Sequence, residues 1–463
     1  MNEYPKITFC TGVGTVTGAN FLLEPASGVK VLVDCGLVQG ERVALPENHE
    51  AFPYEPASIQ GLFITHAHLD HVGRIPKLVK EGFRGPIYST PETKALAQLV
   101  LEDAVGILAN EARQEGKSPL YDLNDVARVF PMWKTMPYHE RFEPIPGVSV
   151  YFKDAGHILG SAMIEVSLAS DVKFLFTGDL GNSPAPLLRD TEPVGDVDYL
   201  IMESVYGDRN HEPKEEREAK LQEVIKDTIA RGGTLVIPTF SIDRTQVILY
   251  ALNGMVEQGR IPSVPIFMDS PMAIKATEIY KRSTDLFNDR VQAQIRGGDD
   301  IFSFPRLQYT MTQGESRGID HNKGPKIILA GSGMSVGGRV VSHEERYLPD
   351  PKSTLLLVGY QAAGSLGREL ADGAKKVRIA GQTIKVAARV ETLYGYSAHK
   401  DGDHLVEFVA TAGDAAGKTR LKEVFVVMGE PGASMHLAQR LNDELSVKAI
   451  VPERLHVYPL ESL

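Results

Sequence analysis

Residues 65–74 read THAHLDHVGR, and the interpretation of the whole chain starts from this stretch. It follows the apolar run 61–64 and precedes residues 72–79, whose apolar positions recur at helical spacing, so it is predicted to be a strand-to-helix loop. Imidazole nitrogens and carboxylate oxygens together suit zinc, and burying several of them unpaired would be costly. The sequence therefore predicts a metal site whose candidate ligands fall within six positions: His66, His68, Asp70 and His71.

Composition places the chain among ordinary globular proteins. Its 463 residues exceed what one hydrophobic core usually organises, so at least two domains are expected. No apolar run approaches the length of a membrane-spanning helix, and the N-terminus, MNEYPKITF, does not resemble a signal peptide. Only two cysteines, Cys10 and Cys35, are present, which is typical of a reducing compartment. We therefore expect a cytoplasmic protein with no membrane segment.

The net charge of −11 is unevenly distributed. Residues 209–392 carry 26 Lys and Arg against 22 Asp and Glu, a balance of +4, whereas the rest of the chain carries 23 against 38, or −15. The cation-rich middle third is a weak indication of phosphate contact, and an ordinary solvated surface is the alternative.

Further candidate ligands follow predicted strands. Asp34 ends the run VLVD, where a carboxylate could orient a metal ligand through a hydrogen bond. His157 lies in KDAGHILGSA, Asp179 ends FLFTGD, and Glu203 follows LIM in the same way. Because each lies at the tip of an apolar strand, we interpret them together with the first cluster.

The chain is predicted to be one domain interrupted by another. From about residue 209, strands alternate with helices, which predicts a parallel sheet with covering helices. The glycine-rich turns 331–339 and 359–368 end in Arg339 and Arg368, and we interpret them as phosphate contacts, with plain turns as the alternative. Near residue 393 the pattern of the first 208 residues returns, and His399 is predicted to open a helix there. The predicted domains are 1–208 with 393–463, and the insert 209–392.

These motifs resemble a known family. The HxHxDH set, with Asp34, His157 and Asp179, resembles the metal motifs of the metallo-β-lactamase superfamily. Glu203 in MESVYGDR and His399 in GYSAHKD resemble two motifs of its β-CASP nucleases. PTFSIDRTQ, DSPMA, GSGMSVGGR and GYQAAGSLGR resemble the inserted domain of the bacterial and archaeal RNA-processing branch, which is akin to the pre-mRNA 3′-end endonuclease and ribonuclease J.

The resemblance implies a fold and a set of site residues. The fold is α/β: a metallo-β-lactamase αββα sandwich with an inserted β-CASP α/β domain of mainly parallel sheet. Two zinc ions are implied, one bound by His66, His68 and His157, the other by Asp70 and His71, with Asp179 bridging them. The implied phosphate contacts are Arg244, Ser332, Gly333, Arg339, Ser365 and Arg368.

One position departs from the family pattern. RNA-cleaving members have a zinc-binding histidine immediately before a Gly-Glu pair near the C-terminus, where this chain has Met428. A thioether is a poor zinc ligand, so the second zinc site lacks one protein ligand. DNA-processing members also have an apolar residue there, which leaves a DNA substrate as an alternative.

The implied activity is zinc-dependent hydrolysis of single-stranded RNA by metal-activated water. The implied catalytic residues are His399 as general acid, Glu203 as its partner, Asp70 and Asp34. A DNA-directed nuclease and a weakly active or non-catalytic scaffold are the alternatives, and relatives often form homodimers. A small-molecule hydrolase would not need so large an insert.

Overall fold

The protein is described from a computed structural model, which covers residues 5–25, 28–40, 43–412, 414–415 and 418–460. The chain divides into two compact units. The first unit includes residues 43–210 and 399–463 together with the N-terminal segment, and the second includes residues 211–398. These boundaries lie two and six residues beyond those predicted from the sequence, and the predicted domain limits stay predictions.

The first part of the chain forms eleven of the described strands and four helices. The strands are β1 (Lys6–Thr11), β2 (Asn20–Glu24), β3 (Val31–Val33), β4 (Gly61–Phe63), β5 (Ile87–Ser89), β6 (Trp133–Thr135), β7 (Arg141–Ile145), β8 (Val148–Asp154), β9 (Ala162–Leu168), β10 (Lys173–Phe176) and β11 (Tyr199–Met202). The helices are α1 (Leu69–Val72), α2 (Ile75–Lys80), α3 (Pro91–Glu115) and α4 (Leu123–Ala127).

The second unit contributes the next eight strands and seven helices of the described residues. Its strands are β12 (Thr234–Pro238), β13 (Ile266–Asp269), β14 (Leu307–Tyr309), β15 (Lys326–Ala330), β16 (Thr354–Leu357), β17 (Lys376–Ile379), β18 (Gln382–Lys385) and β19 (Arg389–Thr392). Its helices are α5 (Lys214–Ala230), α6 (Arg244–Glu257), α7 (Pro271–Arg282), α8 (Asp289–Arg296), α9 (Gln313–Gly318), α10 (Val340–Tyr347) and α11 (Leu366–Ala371).

The C-terminal segment returns to the first unit. Its elements are α12 (Gly402–Ala412), β20 (Asp414–Ala415), β21 (Lys418–Thr419), β22 (Glu423–Val426), α13 (Pro431–Leu445), β23 (Ala449–Ile450) and β24 (Val457–Pro459). His399 was predicted to open α12, and this was wrong: His399 forms a β-bridge with Gly181, and the helix begins three residues later. The extended backbone continues at Lys400, whose N–H donates to the carbonyl of Leu180.

Two mixed sheets form the centre of the first unit. Their strand orders are β24-β1-β2-β3-β4-β5-β6 and β23-β22-β11-β10-β9-β8-β7. One buried cluster includes Phe9 and Phe21 from the first sheet with Phe152, Phe174 and Phe425 from the second, so the sheets share a core. A second cluster packs α12 and α13 against the other face of the second sheet. The fold is the predicted α/β sandwich.

The main sheet of the second unit is parallel at every described pairing. Its order is β14-β13-β15-β12-β16-β19. The segments TLVIP, IFMD, KIILA and TLLL are buried along their whole length, as expected of strands covered on both faces. The mainly parallel inserted sheet was predicted correctly. No described helix in either unit combines the length and apolarity that a membrane crossing requires.

Candidate metal centre

The loop after β4 delivers most of the candidate ligands to one place. Thr65 and His66 lie between β4 and α1, His68 is the residue before α1, and Asp70 and His71 lie within it. His157 lies in the loop between β8 and β9, and Asp179 follows β10. The carboxyl end of β10 and these loops therefore bring residues far apart in the sequence to one side of the sandwich.

Four donor atoms form a compact group. His68 Nδ1 lies 3.1 Å from His66 Nε2 and 3.3 Å from His157 Nε2. Asp179 Oδ2 lies 3.4 Å from His66 Nε2 and 3.5 Å from His157 Nε2. Zinc bonds of about 2.1 Å in a tetrahedron place neighbouring donor atoms about 3.4 Å apart. The spacing and the chemistry of this group therefore fit a zinc ion.

Asp70 and His71 lie beside the same carboxylate. His71 Nε2 is 3.4 Å from Asp179 Oδ1 and 3.8 Å from Asp70 Oδ2. Although both are buried, neither His71 Nε2 nor Asp179 Oδ1 has a hydrogen-bond partner among the described residues. Buried polar atoms are rarely left in this state unless they bind something. The two oxygens of Asp179 thus face two different groups of donors.

The protonation states of His68, His157 and Asp179 favour cation binding. Burial lowers the pKa of His68 and His157 well below the usual value, so both rings are neutral and each can offer a lone pair. Burial alone would raise the pKa of Asp179, but the neighbouring His71 and His66 outweigh it and hold it well below its usual value. The carboxylate is therefore ionised.

Asp34 and Thr65 form a hydrogen-bonded shell behind two of the histidines. Asp34 Oδ2 is 2.7 Å from His71 Nδ1 and accepts a hydrogen bond of 2.7 Å from the Thr65 hydroxyl, while Asp34 Oδ1 accepts the backbone N–H of Thr65. The Thr65 hydroxyl oxygen also lies 3.1 Å from His66 Nδ1. Since the hydroxyl donates its hydrogen bond to Asp34, it accepts a hydrogen bond from the N–H at His66 Nδ1, which leaves Nε2 of His66 with the lone pair.

Sequence reasoning placed Asp34 in this shell and missed Thr65. The signal was a hydroxyl residue immediately before the first histidine of the motif. A Cβ on Gly178 would lie 2.6 Å from the Thr65 Cβ, so the absence of a side chain at Gly178 makes room for Thr65.

Glu203 and His399 lie together at the edge of the ligand group. His399 Nδ1 is 3.2 Å from both oxygens of Glu203 and 4.0 Å from Asp179 Oδ2. The Glu203 carboxylate also accepts the backbone N–H of Leu180 at 2.6 Å. Burial alone would lower the pKa of His399, but Glu203, with help from Asp179 and Asp70, raises it to about 9. The ring is therefore a proton donor at neutral pH.

Comparisons with known proteins show the family of the chain. Residues 14–222 match the metallo-beta-lactamase superfamily, 245–370 match the Beta-Casp domain, and 383–452 match the Zn-dependent metallo-hydrolase RNA specificity domain. The chain is 37% identical to Ribonuclease TTHA0252 of Thermus thermophilus over 85% of this chain and 88% of that protein. The chain belongs to the β-CASP family.

More distant β-CASP relatives are named for another process. Transcription termination factor FttA of Pyrococcus horikoshii is 32% identical over 96% of this chain and 70% of that protein. The FttA of Methanosarcina mazei is 31% identical over the same shares.

Met428, the residue that departs from the β-CASP pattern, is buried in the core. Met428 is 2% exposed and belongs to the cluster that joins the two sheets. Its sulfur packs on Gly12, where an added Cβ would lie 2.8 Å from it. Its side chain therefore contributes to the core, and no nitrogen or oxygen donor is offered at this position.

The predicted phosphate contacts of the β-CASP insert lie in the second unit, and several have internal partners. Arg339 Nη1 is 2.6 Å from Asp269 Oδ1, and its guanidinium also donates to two backbone carbonyls. Arg368 forms an ion pair with Asp372, and Arg244 donates to the carbonyl of Val358. These interactions give the arginines structural roles, and phosphate contact stays a prediction.

The remaining predicted contacts lie in tight turns. Ser365 caps α11, donating to the Ala362 carbonyl and accepting the N–H of Arg368. Ser332 and Gly333 lie in the turn after β15, where a Cβ on Gly333 would lie 2.5 Å from the Phe240 ring. Substrate contact stays a prediction for these three residues as well.

Helix α10, which follows this turn, contains a buried carboxyl group with a measurable consequence. Glu344 accepts a hydrogen bond from Ser335 and is 1% exposed, and burial raises its pKa to about 8. Because its pKa in the unfolded chain is about 4.3, its contribution to stability is fully present below that value and is lost as pH rises toward 8.

We therefore expect that the Glu344→Gln variant does not show this loss of stability as pH rises. The free energy of unfolding of the variant, minus that of the wild type, should rise between pH 5 and 8 by up to about 1.4 kcal/mol per pH unit. Urea unfolding at several pH values measures this difference. A constant difference over the range would show that Glu344 ionises normally in the folded protein.

Proposed function

We propose that this β-CASP protein is a zinc-dependent ribonuclease that hydrolyses phosphodiester bonds of single-stranded RNA. The observation that carries the proposal is the group formed by His66, His68, His157 and Asp179 with the Glu203–His399 pair at its edge. The ribonuclease name of the Thermus thermophilus relative, and the match to an RNA specificity domain, support RNA as the substrate. They do not favour the DNA-directed or scaffold alternatives.

His66, His68 and His157 would hold one zinc ion, Asp70 and His71 the other, with Asp179 shared between them. Zinc bound there would supply positive charge that activates water and neutralises charge on the phosphate. Because Met428 provides no donor, we propose that the second ion is held by fewer protein ligands and exchanges more readily than the first.

His399 would protonate the leaving oxygen. Water that has released one proton to the solvent would attack phosphorus, the bond from phosphorus to the leaving oxygen would break, and the proton required by that oxygen would come from the His399 ring. Glu203, whose oxygens lie 3.2 Å from Nδ1, would fix the ring and keep it protonated, so that Nε2 delivers the proton. Asp34 would orient His71 from behind.

Thr65 is expected to contribute to zinc affinity through His66. Thr65→Val keeps the shape of the side chain but removes the hydroxyl that accepts a hydrogen bond from His66 Nδ1. Loss of such a supporting hydrogen bond typically lowers metal affinity by about 10-fold to 100-fold, and competition with a chromogenic chelator would measure the change.

Two variants make the Thr65 experiment specific. Thr65→Ser retains the hydroxyl and should bind zinc more nearly like the wild type than the valine variant does. Thr228→Val removes a buried hydroxyl in the second unit and should leave zinc affinity unchanged. Equal affinity in Thr65→Val and the wild type would remove Thr65 from the ligand-supporting shell.

The choice between RNA and DNA is tested with matched oligonucleotides. Single-stranded RNA and DNA of the same sequence would be incubated with zinc-loaded protein, and the products compared by denaturing electrophoresis. We expect cleavage of RNA in preference to DNA. Preferential cleavage of DNA would transfer the proposal to the DNA-directed alternative, and cleavage of neither would favour the scaffold alternative.

Two further expectations concern the location and the oligomeric state of the protein. The predicted cytoplasmic location and the predicted homodimer stay predictions.

A further inference from the structure

A cation-rich segment of the second unit follows the predicted phosphate turns in the sequence. Residues 373–389 contain five basic residues and no acidic residue. Most of the segment forms an antiparallel ribbon of two strands, β17 and β18, connected by a tight turn. We call residues 375–385 the basic ribbon.

The register of the basic ribbon separates apolar from basic residues. Val377 and Ile379 are 3% and 2% exposed and pack in the core of the second unit. Because side chains alternate along a strand, the opposite face presents four exposed side chains: Lys376, Arg378, Thr383 and Lys385. The packing of the apolar face therefore fixes three cations on one outward surface.

In the part of the chain that the structure describes, these cations have no acidic partners. Lys376 lies directly opposite Lys385 on the neighbouring strand. Among the described residues no carboxylate forms an ion pair with Lys376, Arg378 or Lys385. Arg389, just beyond the ribbon, differs because it forms an ion pair of 2.8 Å with Asp227. Like charges directly opposite each other destabilise a ribbon, and an anionic ligand would offset this repulsion.

We propose that the outer face of the basic ribbon binds the phosphate backbone of the RNA substrate. The inference rests on the proposed ribonuclease function and adds a binding surface outside the metal centre. Lysine, arginine and a threonine hydroxyl all bind phosphate oxygens without reading sequence. The face offers no exposed aromatic or large aliphatic side chain, which a membrane-binding surface would use to insert into lipid.

The salt dependence of RNA binding tests the proposal. The triple variant Lys376→Gln, Arg378→Gln, Lys385→Gln would be compared with the wild type by fluorescence anisotropy, using labelled single-stranded RNA from 50 to 300 mM salt. Each phosphate contact to a single strand contributes about 0.7 to the slope of log affinity against log salt concentration. The slope should therefore become shallower by about 2 in the triple variant, and by about 0.7 in Lys385→Gln alone.

A charge-matched control separates local contact from net charge. Arg260, Lys281 and Arg346 belong to the same unit and form ion pairs with Glu218, Asp300 and Asp320. Replacing these three by Gln changes the net charge by the same amount and should leave the slope as in the wild type. Hydrolysis of bis(p-nitrophenyl) phosphate, which offers one phosphate only, should be equal in the wild type and the ribbon variant.

The outcomes distinguish this inference from the proposed function. An unchanged slope in the ribbon variant, with RNA cleavage intact in the wild type, would overturn the ribbon surface alone, as would equal losses in the ribbon and control variants. A wild type that does not bind RNA would overturn both proposals. An unchanged RNA slope together with lost binding to vesicles of phosphatidylserine and phosphatidylcholine would reassign the surface to membranes and overturn the inference.

Discussion

Asp179→Ala is expected to lower RNA cleavage by about a thousandfold or more. Asp179 is 3% exposed, and its two oxygens face the two groups of candidate ligands, at 3.4 Å from His66 Nε2 and 3.4 Å from His71 Nε2. Its loss would weaken both zinc sites. Metal ions contribute several kcal/mol of transition-state stabilisation, and each 1.36 kcal/mol corresponds to a factor of ten in rate.

The expected signature of Asp179→Ala is loss of metal together with loss of cleavage. Elemental analysis would give zinc content, and initial rates on single-stranded RNA would give activity. Glu216→Ala, which removes an exposed carboxylate paired with Lys220, should match the wild type in both measurements. An Asp179→Ala protein with full zinc content and full activity would exclude the shared-carboxylate assignment.

His399→Ala is expected to lower RNA cleavage by about 100-fold or more while zinc content stays at the wild-type level. General acid catalysis typically contributes factors of this size. His399 is not among the proposed zinc ligands, and its Nδ1 interacts with Glu203 at 3.2 Å. Rates on RNA and zinc content would be measured on the same samples.

The leaving group provides a sharper test of the His399 assignment. An aryl phosphodiester with a p-nitrophenolate leaving group needs little protonation, so His399→Ala should reduce its hydrolysis much less than that of RNA. His404→Ala is the matched control, because the His404 side chain is 44% exposed and pairs with Asp401. An equal loss on both substrates would show that His399 acts in some way other than protonating the leaving group.

The sequence allowed the ligand set to be proposed because metal chemistry restricts the residue types. The structure brings His66, His68, His157 and Asp179 into one group, and Asp70 and His71 lie beside Asp179; their binding of metal stays a prediction. Thr65 was not found because a threonine is chemically unremarkable until its distances to Asp34 and His66 are known.

Other features depended on long-range contacts that no local pattern carries. The start of α12 was misplaced because the backbone at His399 pairs with Gly181, more than 200 residues away in the sequence. Likewise, the ion pair of Arg339 with Asp269, on a neighbouring strand, was not predicted from the glycine-rich turn. Phosphate contact by Arg339 stays a prediction. The parallel sheet of the second unit was predictable because its strands are continuous apolar runs that alternate with helices.

A zinc titration tests the central claim most directly. Metal-depleted protein would be titrated with zinc while bound zinc and cleavage of single-stranded RNA are recorded on the same samples. We expect no cleavage without metal and cleavage that returns with zinc. The first equivalent of zinc should bind tightly and the second more weakly because of Met428. Undiminished cleavage by the metal-free protein, or none by the zinc-loaded protein, would contradict the central claim.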